Sequence, residues 1–330
     1  MIISIIILLI ALSIVIIWKS SDWLTDSLVP VANRLGTSYI AITTLIVSFI
    51  LSLPEIFSSV YSYLLGHLDI GLGVVIGSVM ANIGLIVGTS AIIKPLTVEK
   101  SVVIRDGIFM VVAAGIVLLF GSDLQYSRSE GLVLFLLFIP YAINVWAFEK
   151  WRPKKSQKQK VKQVKRSLSL IGSSKFKLKP SLLTFIISAL VLIAGSYLFS
   201  FSLIKLDEAL QLPGILIGLI FGAIGTGIPN IAAAWQGTLK GYKDAAITET
   251  FGSNIFTLLI TLGIIITLSP FTIQGSVFYF DLTWMIIMNI LLIAFIFKGY
   301  FYREESLTRY EGVALLLFYL TLLVIHVAMF

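Results

Sequence analysis

Glu55 and Glu249 are the two of the chain's 17 acids that the sequence places well inside apolar, span-length stretches. Hydroxyls and amides recur around them at helical spacing. Ser48, Ser52, Glu55, Ser59 and Ser62 step by four and three, which puts them on one face of a helix. Ser78 and Asn82 lie one turn apart, and Glu249, Ser253, Thr257 and Thr261 step by four. A hydroxyl in a span often bonds back to its own helix and says little alone. A carboxylate is different: in hydrocarbon it costs at least ~2.5 kcal/mol, and such residues mark function by default. Oxygen donors gathered around one or two negative charges are what a hard cation requires. No embedded His, Cys or Lys accompanies Glu55, so the set lacks the nucleophile and base an enzyme would need. A channel would need a continuous polar path, whereas these groups cluster at mid-depth.

The elements that position them are membrane spans. Of 330 residues 58% are hydrophobic and 12% charged, and apolar runs repeatedly reach the ~20 residues that cross a bilayer. Ten spans are expected, at 2–18, 38–65, 69–91, 102–120, 130–148, 181–201, 213–239, 244–268, 278–297 and 309–329. The first lacks a basic flank and a small-residue cleavage site, so it reads as a retained span. With no cysteine, disulfides and thiolate metal sites are excluded.

The net charge of +7 is not a nucleic-acid signature. Twelve of the 24 Lys and Arg residues lie between Lys150 and Lys179, a segment without acids. Basic flanks stay cytoplasmic. With that loop inside, alternation puts both termini outside, and 22 basic residues fall inside against Arg128 and Lys205 outside. The loop reads as a topological determinant attracted to anionic lipid, with a regulatory role as the alternative. The expected organisation is a first five-helix repeat at 1–149, a basic cytoplasmic loop at 150–180 and a second repeat at 181–330, in a cell membrane.

Residues 43–90 and 218–265 are weak copies at one offset of 175 residues. Pro54 matches Pro229, Gly66 matches Gly241, Asp69 matches Asp244, Gly77-Ser78 matches Gly252-Ser253, and Gly88 matches Gly263. Five spans separate equivalent points, and an odd number reverses direction, so the repeat is inverted. The expected fold is all-α, ten transmembrane helices as two inverted five-helix repeats. Pro54 and Pro229 interrupt the first long span of each copy and free backbone carbonyls at mid-membrane. One such kink is explained by packing; two at matched positions, each beside a polar residue, point to function. The stripe matching the serines of the second span is small: Ala223, Gly227, Asn230, Ala234 and Gly237.

At these residues the chain resembles the calcium/cation antiporter superfamily, which includes the sodium/calcium exchangers. Its motif pair, like G-T-S-L-P-E followed by G-S-N-I-x-N, has counterparts in ILSLPEIFSS with GSVMANIG, and in GTGIPNIAAA with GSNIFTLL. The resemblance implies a secondary cation antiporter, not an enzyme, that needs no cofactor beyond its transported ions, sodium and calcium by family default. Ions would bind between helices two, three, seven and eight, while helices one and six slide to switch access. Carried over, the ligand positions are Ser52, Glu55, Ser78, Asn82, Thr226, Asn230, Ser253 and Thr257.

The departures bear on selectivity. Asn230 stands where the second motif has glutamate, Leu51 and Gly227 replace hydroxyl residues, and Thr257 replaces an amide or acid. With Glu55 alone, a divalent ion would leave about one uncompensated charge, which favours monovalent cations or protons as the alternative substrates. Glu249 has two readings: a second, peripheral cation ligand, or a carboxylate that meets water or Lys240 and Lys243. Asp69 and Asp244 read as helix N-caps, and His67 and His326 as lone residues without metal.

Overall fold

The computed structural model describes residues 2–34, 39–150, 181–302 and 306–329, with side chains described at 2–27, 48–148, 181–301 and 306–329. Ten long helices run through these residues. They are α1 Ile2–Arg34, α2 Tyr39–Leu64, α3 Leu68–Ile93, α4 Lys100–Asp123, α5 Arg128–Lys150, α6 Leu182–Leu210, α7 Gly214–Leu239, α8 Ala245–Leu268, α9 Val277–Phe301 and α10 Arg309–Met329. Nine of them are long and apolar enough over described residues to cross a membrane. The basic loop lies outside the described residues, apart from its first position.

Local chemistry starts several helices. Ser127 and Glu130 form a reciprocal capping pair at the start of α5, and at the start of α10 the Thr308 backbone N–H and hydroxyl both donate to Glu311. Ser181 Oγ accepts from the Thr184 amide at the start of α6. The turns before α3 and α8 pass through Gly66 at φ +88° and Gly241 at φ +90°. Both glycines occupy the left-handed region that a side chain disfavours, and they are mates at the repeat offset. Asp69 is not the cap of α3. That place belongs to His67, while the Asp69 carboxylate packs against Gly214, the first residue of α7, where the positive end of a helix dipole favours an anion. Asp244 holds the cap position of α8, yet its side chain makes no capping hydrogen bond.

The inverted relation extends to irregularities invisible in the sequence. α3 carries a π-helical turn at Asn82–Val87 and α8 one at Thr257–Thr261, 175 residues on. α4 and α9 match in the same way, at Val103–Gly107 and Val277–Leu282. Single π turns concentrate at functional sites in helices. Loops follow suit. Leu96 bridges to Leu307, and its mate Phe271 pairs with Tyr126 in a two-residue ribbon.

α2, α3, α7 and α8 form the centre. α5 packs on the second half of α8, where a Cβ on Gly263 would come within 3.1 Å of the Gly131 carbonyl oxygen; α10 packs likewise on α3, at Gly88 and Gly312. Each half therefore seals the other's core helix. α1 and α6 lie together along the opposite side, with Gly195 against Ile16 and Ile17. Their seam is rich in buried hydroxyls, and Ser13 with Ser188 and Ser21 with Ser196 are again mates.

α1 runs well past the expected boundary at residue 18. Its second part contains Ser20, Ser21, Asp22, Thr25 and Ser27, all buried. Ser20 donates to the Ile16 carbonyl at 2.7 Å and Thr25 to that of Ser21 at 2.8 Å. Hydropathy falls here although the helix continues; Ser20 and Thr25 bond back to their own helix, while the Ser21 and Ser27 hydroxyls are buried without a hydrogen-bond partner among the described residues. Asp22 thus joins the buried acids that the sequence reading left outside a span. The prolines also act differently from expectation. α2 and α7 continue as helix through Pro54 and Pro229, each of which only removes one donor, toward Ile50 and Gly225 respectively.

Candidate cation site

Glu55 is fully buried on α2, and the whole expected stripe is buried with it: Ser48, Ser52, Ser59 and Ser62. The small stripe of α7 faces inward too, and Asn230 is fully buried within it. The two stripes cross there. Asn230 Nδ2 donates to Glu55 Oε1 at 3.4 Å, so residues at equivalent positions of the two halves meet. Glu55 Oε2 and Asn230 Oδ1 have no hydrogen-bond partner among the described residues.

A second set of contacts joins α2, α3 and α8. Ser52 Oγ donates to Ser253 Oγ at 3.1 Å and to the Ser48 carbonyl at 2.9 Å. Asn82 Nδ2 reaches Ser253 Oγ at 3.2 Å and Asn254 Oδ1 at 2.9 Å. Of the expected ligands, direct contacts thus connect Glu55 with Asn230, and Ser253 with both Ser52 and Asn82. Thr226 is buried but donates to the Gly222 carbonyl of its own helix at 2.9 Å, which leaves its oxygen lone pairs as acceptors. Ser78 Oγ and Thr257 Oγ1 are buried, with no hydrogen-bond partner among the described residues. Buried oxygens without donors are costly in an apolar interior, and a cation is one way to satisfy several at once.

Asn254 and Thr250 belong to this centre although sequence reasoning passed over them. Asn254 receives the Asn82 amide and donates to the Val79 carbonyl at 3.3 Å, and Val79 is its own mate in the repeat. Thr250 donates to the Asn82 carbonyl at 3.2 Å, at the start of the π turn. The signal for Asn254 was present in GSNIFTLL. It was missed because its first-half mate is the apolar Val79.

Glu249 stands one turn before Ser253, and its neighbourhood differs from the solvated reading. Among the described residues both carboxylate oxygens are buried without a hydrogen-bond partner, and no ion pair joins them to Lys240 or Lys243. The histidines are not lone either. His67 Nδ1 lies 3.8 Å from Asp207 Oδ2, and His326 Nδ1 lies 2.9 Å from Asp281 Oδ1 with both side chains buried. Neither pair recruits a third ligand: among the described residues no cluster of three His, Cys, Asp or Glu side chains forms.

Comparison with known proteins agrees with this architecture. The chain is 26% identical over 345 residues to the sodium/calcium exchanger MaX1 of Methanosarcina acetivorans, covering 96% of this chain and 97% of that one. It is 28% identical to the putative antiporter CaxA of Alkalimonas amylolytica over 80% of each chain, and 26% identical to the inner membrane protein YrbG of Escherichia coli over 86% of each. The fold matches the solved sodium-calcium exchanger NCX_Mj with a TM-score of 0.64 at 23% identity, over 97% of this chain and 98% of that one. The profile of the sodium/calcium exchanger protein family matches residues 5–147 and 180–328, so this multi-pass membrane chain belongs to that family.

Proposed function

We propose that this cation exchanger is a secondary antiporter that exchanges sodium against calcium, with Glu55 as the principal charged ligand. Ser52, Ser78, Asn82, Thr226, Asn230, Ser253 and Thr257 supply neutral oxygens between α2, α3, α7 and α8. The observation that carries this reading is the meeting of Glu55 with Asn230, where one buried charge sits at the crossing of two inverted halves. Inverted halves place a midplane site at their interface and let one bundle rock or slide around it. The α1–α6 pair is the element suited to move, since its two helices pack along each other on one side of the centre. Coupling follows from competition, because one carboxylate cannot hold both cations at once. In the membrane we place both termini outside and the basic loop in the cytoplasm.

A second reading, exchange of monovalent cations or protons, draws on the same contact. Asn230 presents an amide donor to Glu55 where a second carboxylate would be an acceptor, and a single negative charge neutralises a monovalent ion. A proteoliposome flux assay separates the two. Calcium uptake driven by an outward sodium gradient, and lost in Glu55→Gln, is the expected result. Sodium or proton movement indifferent to calcium would favour the monovalent reading, and rates insensitive to every opposing gradient would remove antiport altogether.

A further inference from the structure

Glu249 is the group that the cage around Glu55 leaves unexplained. Both carboxylate oxygens are buried and without a hydrogen-bond partner among the described residues, while the residue as a whole is half-buried. It lies on the same face of α8 as Ser253, one turn away, and Ser253 is held by Ser52 and Asn82. Neither Lys240 nor Lys243 pairs with it. A carboxylate placed in this way needs a positive ligand or a proton.

The repeat sharpens the point. Equivalent positions 55 and 230 hold Glu and Asn, and equivalent positions 74 and 249 hold Val and Glu. Each half therefore contributes one buried carboxylate to the centre, from non-equivalent helices: the first half from α2, the second from α8. Position 74 has no room for an acid, since Val74 is fully buried against Gly222. Position 230 is occupied by an amide already turned to Glu55.

We propose that Glu249 is a second cation-holding carboxylate of the transport pathway. The pathway then carries two negative charges, matched to one divalent cation or two monovalent ones. Glu55 binds directly within the cage, while Glu249 holds a station one turn of α8 away and supplies the charge that Asn230 lacks. This inference rests on the reading of the Glu55 cage as a cation site.

The test uses the full-length protein, purified and reconstituted, with radiolabelled calcium and sodium as probes. Glu249→Gln removes the charge at nearly constant shape, and Glu249→Thr serves if the glutamine variant folds poorly. Calcium affinity should fall about tenfold or more, while sodium binding at Glu55 persists with one ion fewer per protein. Adding Asn230→Glu to Glu249→Gln should recover calcium affinity, since the charge count returns to two. If the unaltered protein binds no calcium, two sodium ions per protein falling to one in Glu249→Gln support the proposal. Unchanged calcium affinity and sodium count in Glu249→Gln overturn it, as does a calcium loss that Asn230→Glu leaves unrepaired. Unchanged cation binding in Glu55→Gln would instead overturn the cage itself, so the two failures are distinguishable.

Discussion

Asn230 Nδ2 lies 3.4 Å from Glu55 Oε1, and the two residues are 175 positions apart, the offset of the repeat itself. Residues related by an approximate two-fold axis touch each other only near that axis. The axis therefore passes between the two side chains, and what one half presents there meets its own counterpart. Two carboxylates at this place would repel unless a cation lay between them. A carboxylate and an amide attract, so this pair holds together without one.

That asymmetry predicts the behaviour of Asn230→Glu. Like charges ~4 Å apart interact with ~4 kcal/mol at an effective dielectric of 20. In chelator the variant should have a lower thermal midpoint than the unaltered protein, and added calcium should raise that midpoint by more. Equal calcium-induced shifts in the two proteins would mean that position 230 does not face the ion.

Asn254 should act by positioning Asn82. Its loss removes an acceptor for the Asn82 amide at 2.9 Å and a donor to the Val79 carbonyl at 3.3 Å. Leaving a buried amide and carbonyl unsatisfied costs about 1–3 kcal/mol each. Asn254→Leu is expected to lower the thermal midpoint and weaken cation affinity, while Asn254→Gln recovers neither, because its longer side chain cannot make the same fork. Full affinity in Asn254→Leu would separate this network from the ion site.

His326 on α10 and Asp281 on α9 face each other, with Nδ1 and Oδ1 2.9 Å apart and both side chains buried. Truncating one member is expected to cost about 1–3 kcal/mol, the penalty of a buried polar group left without its neighbour, more than replacing both with apolar side chains. The measurement is a double-mutant cycle with His326→Leu, Asp281→Leu and the pair, read by thermal or chemical unfolding. Additive losses would show that the two side chains do not act together.

Membrane orientation can be read with single cysteines, because the native chain has none. Lys205→Cys and Arg128→Cys should react with a membrane-impermeant maleimide on intact cells. Lys94→Cys and Lys240→Cys should react only after permeabilisation. The opposite pattern would turn the molecule over and place the basic loop outside.

Span positions, the inverted repeat and the inward stripe of Ser52, Glu55 and Ser59 were legible in the chain, because hydropathy and helical period are local properties. The count of spans and the opposite sense of the two halves needed no knowledge of which helix touches which. The length of α1 was not legible, since Ser20, Ser21, Asp22 and Thr25 look like a solvated flank until α6 lies beside the helix and buries them. Nor was the part played by Asn254, whose partners are 172 and 175 residues away. The same holds for His326 with Asp281 and for Asp69 against the start of α7. A carboxylate or amide in hydrocarbon announces in the sequence that it must find a partner. Which partner it finds is set by the packing of whole helices, and only the folded pair of halves brings Asn230, and not an acid, to Glu55.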